Sequence, residues 1–265
     1  MIVNADDFGA SAEVNLGVVR AFDDGLISSA TLMANMPGFE EAVALAHERR
    51  LLPHVGVHLV LSAGVPLTGP APGLRRFCDD GGGRFVHWPL DGRALRLRRD
   101  ERGAVAAELR AQVRRCRDAG LPVTHLDSHH QVHTHPGIAP VVAGVARDLG
   151  VAAVRLAENC RPGLTVRHRA AVSLHNRRLR RLGLARTRWF GTAGDYRAAA
   201  AAPAPPARLD SFEVMVHPVL GPSGALVDSM EGAPLADVLA GVAAPGAAES
   251  YAGAVYRRAR AGPRP

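Results

Sequence analysis

Along the chain, short unbroken apolar runs alternate with longer segments in which apolar positions recur every three or four residues. The runs Ile2–Ala5, Ser29–Ala34, Val55–Leu61, Val123–Leu126, Ala152–Leu156 and Phe212–Val216 read as strands covered on both faces, because a strand exposed on one side would alternate with polar residues. The intervening segments read as helices. Val14, Val18, Ala21 and Phe22 share one helical face after Ser11, a candidate N-cap, and Gly25 stands where the chain would leave the helix. Further helices are predicted from about Phe39 to Arg50, from 101 to 119 (ended by Gly120 and Pro122) and from 137 to 149 (opened by Pro136 and closed by Gly150). Strand–helix alternation of this kind predicts an α/β fold with a mainly parallel sheet or barrel, in a single domain spanning 1–265. The Ala/Pro-rich segment Ala198–Arg208 and the tail 259–265 are expected at the periphery.

Composition narrows the functional classes. With 47% hydrophobic and 22% charged residues in 265, the chain can bury one large core, and disorder over most of its length is excluded. No stretch approaches the roughly 20 apolar residues of a membrane-spanning helix, and Met1–Asp7 has neither a basic start nor an apolar stretch of signal-peptide type, so a cytoplasmic protein is expected. All 32 basic residues are Arg. A phosphate-binding lysine of the Walker type, a Schiff-base lysine and pyridoxal phosphate chemistry are therefore excluded, since a permanently charged guanidinium cannot replace the amine. Cys78, Cys116 and Cys160 are odd in number and widely spaced, which fits reduced structural thiols; Cys116 continues the apolar stripe of Val105 and Leu109.

The net charge of +7 is local: residues 161–190 carry nine Arg and no acid. A nucleic-acid footprint would be broader and would come with a recognisable module, so no nucleic-acid partner is expected. Leu174, Leu179, Leu182 and Leu184 interleave with these arginines, as in an amphipathic helix. A sharper reading is recognition of an anionic substrate or a membrane-surface glycolipid.

Candidate chemistry collects at the carboxyl ends of the predicted strands, the edge at which parallel α/β sheets bind ligands. Asp6 and Asp7 follow the first strand, His58 lies in the third, and His217 follows the last. Five of the twelve histidines fall in the run His125-Leu126-Asp127-Ser128-His129-His130-Gln131-Val132-His133-Thr134-His135. Each has an ordinary structural explanation when taken singly: a solvated turn, a satisfied core histidine, a strand end before Pro218. Together, carboxylates and imidazoles at equivalent strand ends make the composition of a hydrolytic metal site.

The motifs Asn4-Ala5-Asp6-Asp7-Phe8-Gly9, Val55-Gly56-Val57-His58-Leu59, His125-Leu126-Asp127-Ser128-His129-His130 and Glu213-Val214-Met215-Val216-His217-Pro218 resemble, in order, those of the YdjC/ChbG-like carbohydrate deacetylases. The resemblance runs from residue 2 to about 218. It implies a distorted TIM-like (β/α) barrel, one divalent cation (Mg2+ or Zn2+), and hydrolysis of the N-acetyl group of an amino sugar or glycoconjugate, with a homodimer as a common assembly. It makes Asp7, His58 and His129 the metal ligands, Asp6 the general base and His217 the general acid, although the reverse assignment of Asp6 and Asp7 stays open. Arg155 matches a basic position that holds Asp6 or binds substrate, and His125, Asp127 and His133 are expected to orient ligands or touch substrate. Gln131 departs from the histidine that relatives often carry there, and 161–208 matches nothing in the family pattern. Rival readings are a metal-dependent phosphoesterase and a non-catalytic, metal-bound sugar-binding protein.

Overall fold

Six parallel strands curl into a half-barrel flanked by helices: β1 (Ile2–Phe8), β2 (Ser29–Leu32), β3 (Val55–Leu59), β4 (Leu126–Ser128), β5 (Trp189–Gly191) and β6 (Phe212–Val216), in the spatial order β4-β3-β2-β1-β6-β5. The structure is a computed structural model that describes residues 1–81, 83–87, 96–161, 163–185, 187–206, 208–242, 250, 251 and 253. Arg186, Ala207 and the tail 259–265 lie outside the described residues. The strands are buried on both faces, which is why they read as continuous apolar runs.

Four of the helices follow the sequence pattern closely. They are α1 (Ala12–Asp23), α2 (Phe39–Glu48), α3 (Arg99–Asp118) and α4 (Ala139–Asp148). Ser11 caps α1 by accepting the Val14 N–H, and Gly25 leaves the helix at φ +68°, a left-handed conformation that glycine adopts without steric cost. The Arg-rich segment forms α5 (Val166–Arg181), capped by Thr165, and a capping box of Thr192 and Asp195 starts α6 (Ala193–Ala200). In α5 the leucines divide: Leu179 is buried, whereas Leu174 stands in solvent.

Two predicted strands are displaced. Val123 has φ +50°, which breaks the extended backbone, so β4 begins only at Leu126 and carries Asp127 within it. The Ala152–Leu156 run forms no regular strand. Val154 makes a single parallel bridge to Leu126, Arg155 N–H donates to the Leu126 carbonyl, and Val154 N–H donates to the Leu184 carbonyl. The bridge to β4 nevertheless places Arg155 in the barrel wall beside Asp127.

After β6 the chain forms an antiparallel sheet of β7 (Pro218–Leu220), β8 (Leu226–Asp228) and β9 (Ala233–Pro234), followed by the short helix α7 (Leu235–Val238). This sheet rests on α1 at Gly17, where a Cβ would come within 2.7 Å of Val219 Cα and 2.8 Å of its nitrogen. Backbone cannot yield as a flexible side chain would. Gly17→Ala is therefore expected to destabilise the protein by about 2 kcal/mol, overpacking outweighing the ~1 kcal/mol gained in helix propensity. In thermal melts this should lower Tm by several degrees; an unchanged or raised Tm would show that β7 can move off α1.

Candidate active site

A bulge in β1 creates the site. Ala5 pairs with Ala30 and Phe8 with Leu32, so β1 uses three residues where β2 uses two. The extra residue is absorbed at Asp7, which adopts φ +65°. In a regular strand the side chains of Asp6 and Asp7 would face opposite sides of the sheet. Here both surround His58: Asp7 Oδ1 lies 3.1 Å from its Nε2, and Asp6 joins His58 and Asp127 in a cluster of donor atoms within 4.8 Å of one another.

His58 projects from the middle of β3 and is 1% exposed. Its Nδ1 lies 2.8 Å from Asp127 Oδ1 and 3.1 Å from Thr31 Oγ1, while the Thr31 hydroxyl donates to Asp127 Oδ2. Burial opposes the charge on His58, but Asp127 and Asp7 outweigh burial and raise its pKa to about 10. His129, immediately after β4, brings its Nδ1 to 2.9 Å from Asp7 Oδ1. Asp7, His58 and His129 each thus offer one ligand atom, all within 4.8 Å. A divalent cation fits this set. Asp127 and Thr31 occupy the Nδ1 side of His58, which turns Nε2 toward Asp7, an arrangement that carboxylates commonly impose on metal-binding histidines.

Arg155, with 0% exposure, holds the wall behind this cluster. Its two terminal nitrogens each lie 2.6 Å from a different oxygen of Asp6, NH1 lies 2.8 Å from Asp127 Oδ2, and Nε lies 2.7 Å from Glu213 Oε1. The other Glu213 oxygen accepts from the Tyr251 hydroxyl, and Phe190 lies under the guanidinium at 4.8 Å. Asn4 adds an N–H to Asp6 Oδ1. Burial raises the Asp6 pKa, but Arg155, with help from His58 and His217, lowers it to about 2. Four carboxyl groups (Asp6, Asp7, Asp127 and Glu213) thus meet one guanidinium and two imidazoles (His58 and His129), a balance that favours a further cation.

His217 directly follows β6, where Val216 pairs with Ala5, so it is level with Asp6 across the β1–β6 pair. Its backbone N–H donates to Asp228 Oδ2, which ties its position to β8. His125 and His133 are fully buried and belong to neither ligand cluster. The His125 ring stacks on Tyr251 at 3.7 Å and lies against Gly56, where a Cβ would come within 2.5 Å of the ring. His133 Nδ1 lies 2.6 Å from Ser128 Oγ. His130 and Gln131, both at φ 52°, turn the chain away after His129, and His130 meets Ser62 and His87.

Thr31, Glu213, Asn4 and Tyr251 were not singled out from the sequence. Glu213 could have been, as a carboxylate inside the apolar run Phe212–Val216; Tyr251 carries no local signal. A second group sits farther along the same edge. Glu158, just past Arg155, shares a hydrogen bond with Asp195 at the start of α6, and burial together with that carboxylate raises its pKa to about 7.

The family described as YdjC-like protein matches residues 1–236. Among curated relatives, the chain is 47% identical over 158 residues to a carbohydrate deacetylase of Brevibacillus brevis, covering 57% of each chain. It is 47% identical over 145 residues to one of Geobacillus stearothermophilus (55% of each) and 42% identical over 152 residues to one of Vibrio campbellii (57% of each). The matched region thus spans little more than half the length of these relatives. An Enterococcus faecalis V583 crystal structure described as a cellobiose-phosphate cleavage protein superposes with a TM-score of 0.62 at 22% identity, covering 84% of this chain and 82% of that one, and shares the fold.

Removing the Arg155 charge leaves Asp6, Asp127 and Glu213 without their common cation. Arg155→Met is expected to cost about 3–5 kcal/mol in urea denaturation, and a loss below ~1 kcal/mol would mean that the carboxyls find other partners. Glu158 supplies a pH signature. The folded protein keeps a proton that the unfolded chain releases near pH 4.5, so this group's contribution to stability falls as pH rises from about 4.5 to about 7. Between pH 5 and pH 8, Glu158→Gln should lose less Tm than the wild type; equal losses would place the titration elsewhere.

Proposed function

The chain belongs to the YdjC-like family, and from that premise we propose that it is a metal-dependent carbohydrate deacetylase, cleaving the N-acetyl group of an amino sugar to acetate and a free amine. The observation that carries this reading is the convergence of Asp7 Oδ1, His58 Nε2 and His129 Nδ1 beside a buried Asp6, with His217 level across the sheet. The carbohydrate deacetylases among its relatives support the reaction class. The substrate is an N-acetylglucosamine-containing oligosaccharide or glycoconjugate.

Asp7, His58 and His129 would hold the cation, magnesium or zinc. When bound, such an ion polarises the amide carbonyl and acidifies a water. Asp7 suits the ligand role because its Oδ1 faces both histidines, whereas both oxygens of Asp6 are engaged by Arg155. Asp6 is ionised at neutral pH and takes the proton of the attacking water. Because Arg155 holds down its basicity, that proton is readily given up again. His217 delivers a proton to the departing nitrogen. Arg155 keeps the base aimed, and Asp127 with Thr31 keeps His58 in its ring orientation.

Chitooligosaccharides incubated with the protein and zinc or magnesium should release acetate, and chelation of the ion should stop the release. Asp6→Asn is expected to lower turnover by about 10^2–10^4 while the metal content measured by elemental analysis is unchanged. Acetate release by Asp6→Asn at the wild-type rate would remove Asp6 as base. Phosphate release from sugar phosphates, with no acetate from any N-acetyl sugar, would overturn the deacetylase reading in favour of a phosphoesterase.

A further inference from the structure

Helix α5 is anchored by only part of its length. Val172, Asn176 and Leu179 are its buried residues, and every residue from Val166 to Ala171 is exposed. Two ties fix its direction. Leu184, just beyond its C-terminal end, accepts from Val154 N–H, while the Asn176 side chain accepts from Ala157 N–H at 2.8 Å and donates to the Ala157 carbonyl at 2.9 Å. The helix therefore climbs past the strand ends from its C-terminus toward its N-terminus. At ~1.5 Å per residue, residues 166–175 extend about 15 Å beyond the level of Ala157, on the edge that carries Asp6, Asp7, His58, His129 and His217.

The outward meridian of this arm, at spacings of three and four residues, is Val166, Ala170, Leu174, Arg177 and Arg181. Val166 is 78% and Leu174 69% exposed. Arg167 and Arg178 flank the meridian on one side, and Arg169 and Arg180 on the other. None of Arg167, Arg169, Arg177, Arg178 and Arg181 forms an ion pair with a described residue, and 161–190 contains no acid. A helix whose apolar stripe is bordered by rows of arginine has the make-up of a segment that lies in a lipid headgroup layer, aliphatic side chains inward and guanidinium groups on the phosphates.

We propose that the projecting half of α5 docks this protein on an anionic lipid surface. The docking stands on the arm alone and goes beyond the catalytic reading. A second copy of the chain is a poorer occupant, because a two-fold contact through this face would set arginine against arginine. A nucleic acid would engage the arginines, yet its phosphate backbone gives Val166 and Leu174 no apolar partner.

Co-sedimentation of the full chain with lipid vesicles tests the proposal. The protein should sediment with phosphatidylcholine vesicles containing phosphatidylglycerol, stay in solution with phosphatidylcholine alone, and be released by high salt. The variant Val166→Ser/Leu174→Ser leaves the charge unchanged and should bind the anionic vesicles at least about tenfold more weakly. Arg167→Gln and Arg169→Gln, the two arginines of the projecting half, should each cost roughly fivefold. All four positions are exposed, so circular dichroism should show every variant folded as the wild type. The proposal is overturned by absence of binding to anionic vesicles at low salt, by equal binding of the serine variant and the wild type, or by tighter binding to a DNA duplex than to the vesicles.

Discussion

One guanidinium holds the interior of this half-barrel together. Arg155 reaches Asp6 on β1 and Glu213 on the neighbouring β6, and Asp127 on β4, which β2 and β3 separate from that pair. Three carboxylates buried side by side would repel one another and strand their charges in a low-dielectric interior. Around a single Arg they become a scaffold, and its planar fork suits the bidentate grip on Asp6 in a way that a lysine ammonium could not. The same contacts set the chemistry: they keep Asp6 ionised and leave Asp7 free to face the histidines.

That division of labour between adjacent carboxylates depends on the β1 bulge. The positive φ at Asp7 costs backbone strain, yet without it one of the two side chains would leave the site. Its neighbours show a similar economy. Gly56 has no side chain because His125 lies against it, and Thr31 serves His58 and Asp127 with one hydroxyl. The residues that would meet substrate rest on a layer of buried partners, among them Thr31, Asp127 and Arg155.

The helices on the two sides of the sheet contribute unequally. Those packed on the core carry apolar stripes, whereas α5 is tied by Asn176 and a few apolar contacts and leaves its N-terminal half in water. An arm of this kind has little to do with stability, and its sequence is free to follow another constraint. Its position past the strand ends sets that constraint beside the site.

Much was legible from the chain alone, because burial on both faces of a parallel sheet writes itself as apolar runs and helix ends announce themselves through Ser11, Gly25, Gly120 and Gly150. Asp7, His58 and His129 could be named as one group from the resemblance of their motifs to the family's, and their ligand atoms lie within 4.8 Å of one another. Local pattern could not show that β4 starts at Leu126, since the turn at Val123 is held by tertiary contacts against its own preference for extended backbone. Nor could it find Tyr251 beneath Glu213, or the three-way grip of Arg155, because those partners lie far apart in sequence and carry no shared periodicity. Sequence by itself determined which residues are chemically able to form the site; only the tertiary structure decided which carboxylate each cation faces, because that depends on strand register and on burial that no single segment encodes.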